Sequence, residues 1–128
     1  MLLSICIPTF NRAETLRASL MSIVSQKEFA NRNDIEIVVS DNASTDCTQR
    51  IVDSVAQNFR SKIFYKRNLE NHSDRNFEIA LNHGRGDFLK LANDPLQWQP
   101  GSLAKLIDVV EETKDTKPQL VFTNTNAE

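Results

Sequence analysis

The sequence predicts an α/β chain with a mostly parallel sheet and helices on both faces. Three observations carry this expectation. Short apolar runs alternate with stretches whose apolar residues recur at helical spacing, which is the βαβα pattern of crossover units. The run Ile37-Val38-Val39 has three consecutive β-branched residues and no polar alternation, as in a strand buried on both faces. Two of the runs break off abruptly, at Ser40-Asp41-Asn42 and at Asn93-Asp94-Pro95, where loops above a rigid sheet commonly carry function.

The elements follow in order. Residues 2–7 read as a first strand, closed by Pro8, which cannot donate to a sheet ladder. Asn11 stands three residues before Glu14, a relative of the capping box, so a helix is expected over 12–26 with Leu16, Leu20, Ile23 and Val24 on its buried face. A polar connection, 27–34, leads to a second strand at 35–40. Asp46, with Gln49 three positions later, opens a helix that buries Ile51, Val52, Val55 and Phe59. Residues 62–66 form a short strand flanked by charge, as expected near a sheet edge.

The polar segment 67–74 reads as a loop. A helix from Asp74 should bury Phe77, Ala80 and Leu81 and end at Gly84 as its C′ residue. A fourth strand covers 88–92. Pro100 suits the first turn of a helix whose apolar face is Leu103, Leu106, Ile107 and Val110, and a fifth strand is expected at 119–123. That last strand would leave an exposed edge, so self-association through it is expected.

Composition narrows the class. The chain has 128 residues, 40% hydrophobic and 25% charged, with a net charge of −2, as for one ordinary domain with a single core. That charge offers no footprint for a nucleic-acid polymer. The apolar runs are far shorter than a membrane span and the start lacks a signal-peptide pattern, so a cytoplasmic setting is expected, with membrane association left to a complete, longer protein. Cys6 and Cys47 read as free thiols, and His72 and His83 lack metal-ligand spacing.

In an open parallel sheet, ligands bind outside the carboxyl ends of the strands. Three such ends should converge here: Pro8-Thr9-Phe10-Asn11-Arg12, then Asp41-Asn42, then Asn93-Asp94. A strand-end carboxylate commonly receives a ribose or base, which makes a nucleotide the first candidate ligand. The plainer alternative is that Asp41 and Asn42 only make a turn. The three glycines, Gly84, Gly86 and Gly101, belong to no G-x-G-x-x-G or P-loop pattern, which excludes cradles of those kinds.

Ser4-Ile5-Cys6-Ile7-Pro8-Thr9-Phe10-Asn11-Arg12, followed by Val39-Ser40-Asp41-Asn42-Ala43-Ser44-Thr45-Asp46, resembles the start of family 2 glycosyltransferases of the GT-A fold. The resemblance continues through Asn71 to Asn76, Gly86-Asp87-Phe88-Leu89-Lys90-Leu91 and Trp98-Gln99-Pro100-Gly101-Ser102-Leu103, so it spans nearly the whole chain. It implies a single partial domain over 1–128, the Rossmann-like nucleotide-binding half of a truncated GT-A unit. The implied ligand is a nucleotide-diphospho-sugar, usually a UDP-sugar, for inverting transfer to a glycan or lipid-linked acceptor in bacterial polysaccharide synthesis.

By the same resemblance Pro8, Thr9 and Arg12 match the loop along the nucleotide, and Asp41, with its neighbour Asn42, matches the position that meets the base. Arg75 matches a basic residue near base or phosphate. It also stands at an expected helix start, where free N–H groups favour an anion; its alternative is a surface arginine paired with Asp74 or Glu78. Asp94 falls on the first acid of the family's metal cluster, while Pro95 occupies the usual metal carboxylate. With Asp94 and Asn93 as the remaining ligands, a weak Mg²⁺ or Mn²⁺ site completed by the donor is expected. The alternative for Asp94 is an Asp-Pro turn. No residue of this chain matches the catalytic general base, which is expected beyond Glu128, so the chain alone should be inactive.

Two other classes compete. A non-catalytic sugar-nucleotide-binding or interaction module is favoured by the loss of the acid at Pro95. A phospho-acceptor receiver domain would need an acid pair after the first strand and a lysine after the fifth, where Pro8-Thr9 and Asn124-Thr125 stand instead.

Overall fold

The computed structural model describes residues 1–116. Its elements are β1 (Leu3–Thr9), α1 (Ala13–Val24), α2 (Lys27–Asn31), β2 (Ile35–Asp41), α3 (Thr48–Ala56), β3 (Ile63–Arg67), α4 (Arg75–His83), β4 (Phe88–Leu91) and α5 (Ser102–Thr113), followed by a 3₁₀ turn, Lys114–Thr116. The four strands are ordered β3-β2-β1-β4 and every pairing is parallel. The short charged strand β3 is at an edge, as its sequence predicts. The fifth strand expected at 119–123, and the self-association expected through it, lie outside the described residues.

Strand alternation sorts the two faces. Leu3, Ile5 and Ile7 join Ile35, Ile37 and Val39 in one core with Leu16, Leu20 and Ile23 of α1, Val52 and Val55 of α3, and Leu103, Ile107 and Val110 of α5. The opposite face carries Ser4, Cys6, Glu36, Val38 and Ser40, all buried, and α4 packs there. A helix that covers so polar a face needs a polar underside. Its buried residues are accordingly Asn76 and Ala80. The expected apolar stripe is therefore corrected: Phe77 is 40% exposed and Leu81 only half-buried.

Four further expectations are corrected. Pro8 does not close β1, which runs on to Thr9. The Cys6 carbonyl accepts from Ala92 N–H, so Pro8, two residues on, faces the same side; there the pairing with β4 has already ended at Cys6 and no donor is missed. Asn11 does not cap α1. It adopts φ 49°, a conformation asparagine tolerates, and its Oδ1 accepts instead from the Thr45 N–H at 2.8 Å. The connection 27–34 is not only a loop, because α2 inserts the fully buried Phe29 into the core.

Gly84, finally, caps α4 with extended rather than left-handed backbone. It is glycine for space, since a Cβ there would stand 2.9 Å from the Ser4 Cβ and 2.7 Å from the Leu89 Cδ2. Gly86 is tighter still. A Cβ at Gly86 would meet the Ser4 nitrogen at 2.7 Å, the Leu3 carbonyl carbon at 2.8 Å and the Phe88 oxygen at 2.9 Å, all backbone atoms of the β1–β4 pair. Backbone cannot swing aside as a side chain can. Gly86→Ala is expected to destabilise the protein by about 1–3 kcal/mol, the range for overpacking, read as a lower urea midpoint at unchanged m-value.

Cys6 is buried between β4 and β2, and burial, followed by the charge of Glu36, pushes its thiol up to about 12. It is neutral packing, not a nucleophile.

Candidate functional site

The carboxyl ends of β1, β2 and β4 open into one solvent-accessible cavity of about 500 Å³, within the range of small-molecule sites. The loop after β1 lines it with Pro8, Thr9, Phe10 and Arg12, and β2 is followed by Asn42. Asn93, Asp94 and Pro95 close it from β4, and Asn71, Ser73, Asp74, Asn76 and Phe77 form the opposite wall. Arg12 is the one cationic side chain among these lining residues.

Asp94 is at the convergence of these loops. The turn expected of Asp-Pro is present, with Leu96 N–H donating to the Asn93 carbonyl at 3.0 Å, and it sends the Asp94 carboxylate inward. One oxygen accepts the Thr9 hydroxyl at 2.9 Å, the other the Arg12 guanidinium at 3.2 Å. The pair is unequal: the Asp94 side chain is 8% exposed and that of Arg12 is 58%. The burial fixes the acid, while the arginine keeps most of its surface for solvent or ligand.

Asn42 holds the opposite wall. Its Nδ2 donates to the Asn71 Oδ1 at 2.8 Å, and its Oδ1 accepts the Asn68 Nδ2 at 3.0 Å and the His72 backbone N–H at 2.8 Å. Asn76, from α4, accepts the Ser40 hydroxyl at 2.7 Å and donates to the Ser40 carbonyl at 2.9 Å. Buried amides that are fully paired specify one arrangement. Sequence reading took Asn68 and Asn71 as loop-formers and left Asn76 unremarked within the helix from Asp74; the signals for them were asparagine density around one segment and the resemblance through Asn71 to Asn76.

Asp41 and Arg75 are not among the lining residues. Asp41 is buried and turns its carboxylate into the protein: one oxygen accepts the Ser44 N–H at 3.0 Å and the other the Tyr65 hydroxyl. This is the turn role foreseen as its alternative. Burial, and next the bond to Asp41, raise the Tyr65 hydroxyl far above its ordinary value, so it stays a donor. Arg75 is exposed at the first position of α4, and among the described residues it pairs with neither Asp74 nor Glu78.

The free N–H groups expected beside Arg75 are not free. Arg75 N–H donates to the His72 carbonyl at 3.2 Å and Asn76 N–H to the Ser73 carbonyl at 3.1 Å. The starts of α1 and α3 each give one N–H to the same carboxylate. Asp46 accepts Ala13 N–H of α1 at 3.2 Å through one oxygen and Thr48 N–H of α3 at 3.1 Å through the other. Burial pushes the Asp46 carboxyl up, but the Thr48 hydroxyl and these backbone donors hold it below its ordinary 3.8. The expected capping role is corrected in place: the N-cap of α3 is Cys47, and Asp46, one residue before it, takes the first N–H of both α3 and α1.

A hard divalent cation takes about six oxygen ligands. Here both Asp94 oxygens are already engaged, Asn93 offers one exposed amide and Pro95 none. Among the described residues no three His, Cys, Asp or Glu side chains are grouped as a metal site. The described side chains alone do not fit a resident cation. No helix among the described residues is long and apolar enough to cross a membrane.

Comparison with known proteins agrees with this architecture. The abequosyltransferase RfbV of Salmonella typhimurium is 46% identical over 116 residues, covering 90% of this chain and 34% of the relative. A Campylobacter jejuni GalNAc(5)-diNAcBac-PP-undecaprenol beta-1,3-glucosyltransferase is 31% identical over 111 residues, covering 86% and 35%. The chain therefore spans about a third of the length of these relatives.

Among solved structures, the mannosyltransferase PcManGT from Pyrobaculum calidifontis, in complex with GDP-Man and Mn²⁺, superposes with a TM-score of 0.72 at 25% identity, covering 82% of this chain and 31% of that one. Residues 1–349 of S. aureus TarS, in complex with UDP-GlcNAc, give 0.72 at 22% identity, covering 89% and 32%. Both neighbours have the GT-A fold, and this chain is short relative to them. The profile of Glycosyl transferase family 2 matches residues 4–126, and with the parallel sheet and its strand-end crevice the chain belongs to that family.

Proposed function

We propose that the crevice binds the nucleoside diphosphate of a sugar donor, with a UDP-sugar as the first candidate, for inverting glycosyl transfer in glycan assembly. The carrying observation is Asp94, a buried carboxylate held by Thr9 and Arg12 where three strand-end loops meet. The UDP-GlcNAc of TarS and the GDP-Man of PcManGT support the ligand class. Pro8, Thr9, Arg12, Asn42 and Asp94 would line the nucleotide. Asp41 would act one step back, through Ser44 and Tyr65, and Arg75 as an exposed cation beside Asp74.

In the whole enzyme an acceptor hydroxyl would attack the anomeric carbon, the nucleoside diphosphate would leave from the opposite side, and a base outside 1–128 would take the proton. A glycan or lipid-linked acceptor fits the relatives' names. The second reading, a binding module without catalysis, draws on Pro95.

Calorimetric titration of the chain with UDP tests the proposal. Binding is expected, and Asp94→Ala should weaken it by about tenfold or more, the scale of one charge-assisted hydrogen-bond network. Heat indistinguishable from dilution in the wild type would refute the reading.

A further inference from the structure

We infer that the countercharge this chain presents to a donor's diphosphate is the Arg12 guanidinium, fixed by Asp94, and that donor binding therefore does not require a divalent cation. The inference rests on the nucleotide reading above and goes beyond it.

Three observations carry it. First, a diphosphate brings at least two negative charges into a cavity whose lining, among the described residues, contains two carboxylates, Asp74 and Asp94, and one cation, Arg12. Of the backbone donors at the nearby helix starts, Asp46 already holds the Ala13 and Thr48 N–H groups and the carbonyls of His72 and Ser73 hold those of Arg75 and Asn76, and none of these donors carries a full positive charge. Second, the position that would give a cation its carboxylate is Pro95, and the one acid left, Asp94, is already paired on both oxygens. A cation drawn to Asp94 would lie beside the guanidinium and be repelled by it. Third, Arg12 is built to serve. A guanidinium has five N–H donors in a planar fork that suits phosphate oxygens, and among the described residues Arg12 spends only one contact, on Asp94. That contact fixes the head group at the mouth of the cavity while the side chain stays 58% exposed.

The test is titration of the 128-residue chain with UDP in EDTA and in Mn²⁺, on the wild type, Arg12→Gln, Arg12→Lys and Pro95→Asp, with folding of each checked by circular dichroism. Wild-type affinity is expected to agree between the two buffers. Arg12→Gln should weaken binding about tenfold or more in both, the loss expected of a charge-assisted contact, and Arg12→Lys should restore part of it. Pro95→Asp, which leaves Arg12 intact but adds a third carboxylate to the lining, should weaken binding in EDTA, and any recovery or gain should appear only with Mn²⁺. Wild-type binding that needs Mn²⁺, or an Arg12→Gln affinity equal to wild type, overturns the inference and leaves the nucleotide reading standing. Absence of binding in both buffers overturns both.

Discussion

Phe29→Ala is expected to destabilise the protein by about 3–5 kcal/mol, the range for emptying a fully buried aromatic site. Phe29 has no exposed surface. Its ring meets that of Phe59 edge to face, with centroids 5.3 Å apart, and the Lys62 ammonium lies 5.6 Å from its centroid. Lys62 also donates to the Phe29 and Ala30 carbonyls at 2.8 and 2.9 Å, so it closes the carboxyl end of α2 where the helix dipole favours a cation. A five-residue helix does not persist alone. Removing its one buried side chain should therefore loosen α2 and its contact with α5 together. Urea denaturation followed by fluorescence and circular dichroism measures the loss, and Phe29→Leu should recover most of it. A change below about 1 kcal/mol would show that the site collapses without cost.

Glu36→Ala is expected to cost about 2–4 kcal/mol, because it strands buried donors. Glu36 has no exposed surface, yet it is ionised. Its Oε2 accepts the Ser4 hydroxyl at 2.6 Å and the Arg85 backbone N–H at 2.8 Å, and its Oε1 accepts the Arg85 Nε and Nη2 at 2.9 and 2.8 Å. Ser4 in turn accepts the Gly86 N–H at 2.7 Å, which ties the turn before β4 to β1. Arg85 remains 60% exposed and stacks over Phe64, so water screens its share of the ion pair. Most of the loss should come from the Ser4 hydroxyl and the Arg85 N–H.

The same network makes a pH prediction. Burial pushes the Glu36 carboxyl up, but the Ser4 hydroxyl and the Arg85 donors outweigh it and hold the group below its ordinary 4.5. A carboxyl with a depressed folded value stabilises the fold above its unfolded value, and that contribution is lost as pH falls through the folded one. Stability measured by urea should thus decline below pH of about 4.5, and Glu36→Gln should flatten that decline while lowering stability at neutral pH. An acid limb unchanged by Glu36→Gln would assign it to other carboxylates.

The order of elements was legible because period and punctuation are local. Ile37-Val38-Val39 could only be a strand, Leu16, Leu20 and Ile23 could only share a helix face, and Asp46 before a periodic run marked a helix start that the structure keeps. Sequence also showed which loops would meet, since a parallel sheet sends every carboxyl end to one side. α2 was missed because five residues are too few to show a period. The underside of α4 was misread because local apolarity favours Phe77, whereas Ser4, Glu36 and Ser40 on the sheet beneath demand Asn76.

What the sequence determined by itself was the βα alternation, the family resemblance and the departure at Pro95, all of which depend on the identity and spacing of neighbours along the chain. What only the tertiary structure decided was where charge and donors point. Asp41 turns inward to Ser44 and Tyr65, Asp46 takes one N–H from each of two helix starts, and Asp94 holds Arg12 at the cavity from 82 residues away. A carboxylate's partners are set by which strands lie side by side, and hydrogen bonding is a short-range force that no sequence separation records.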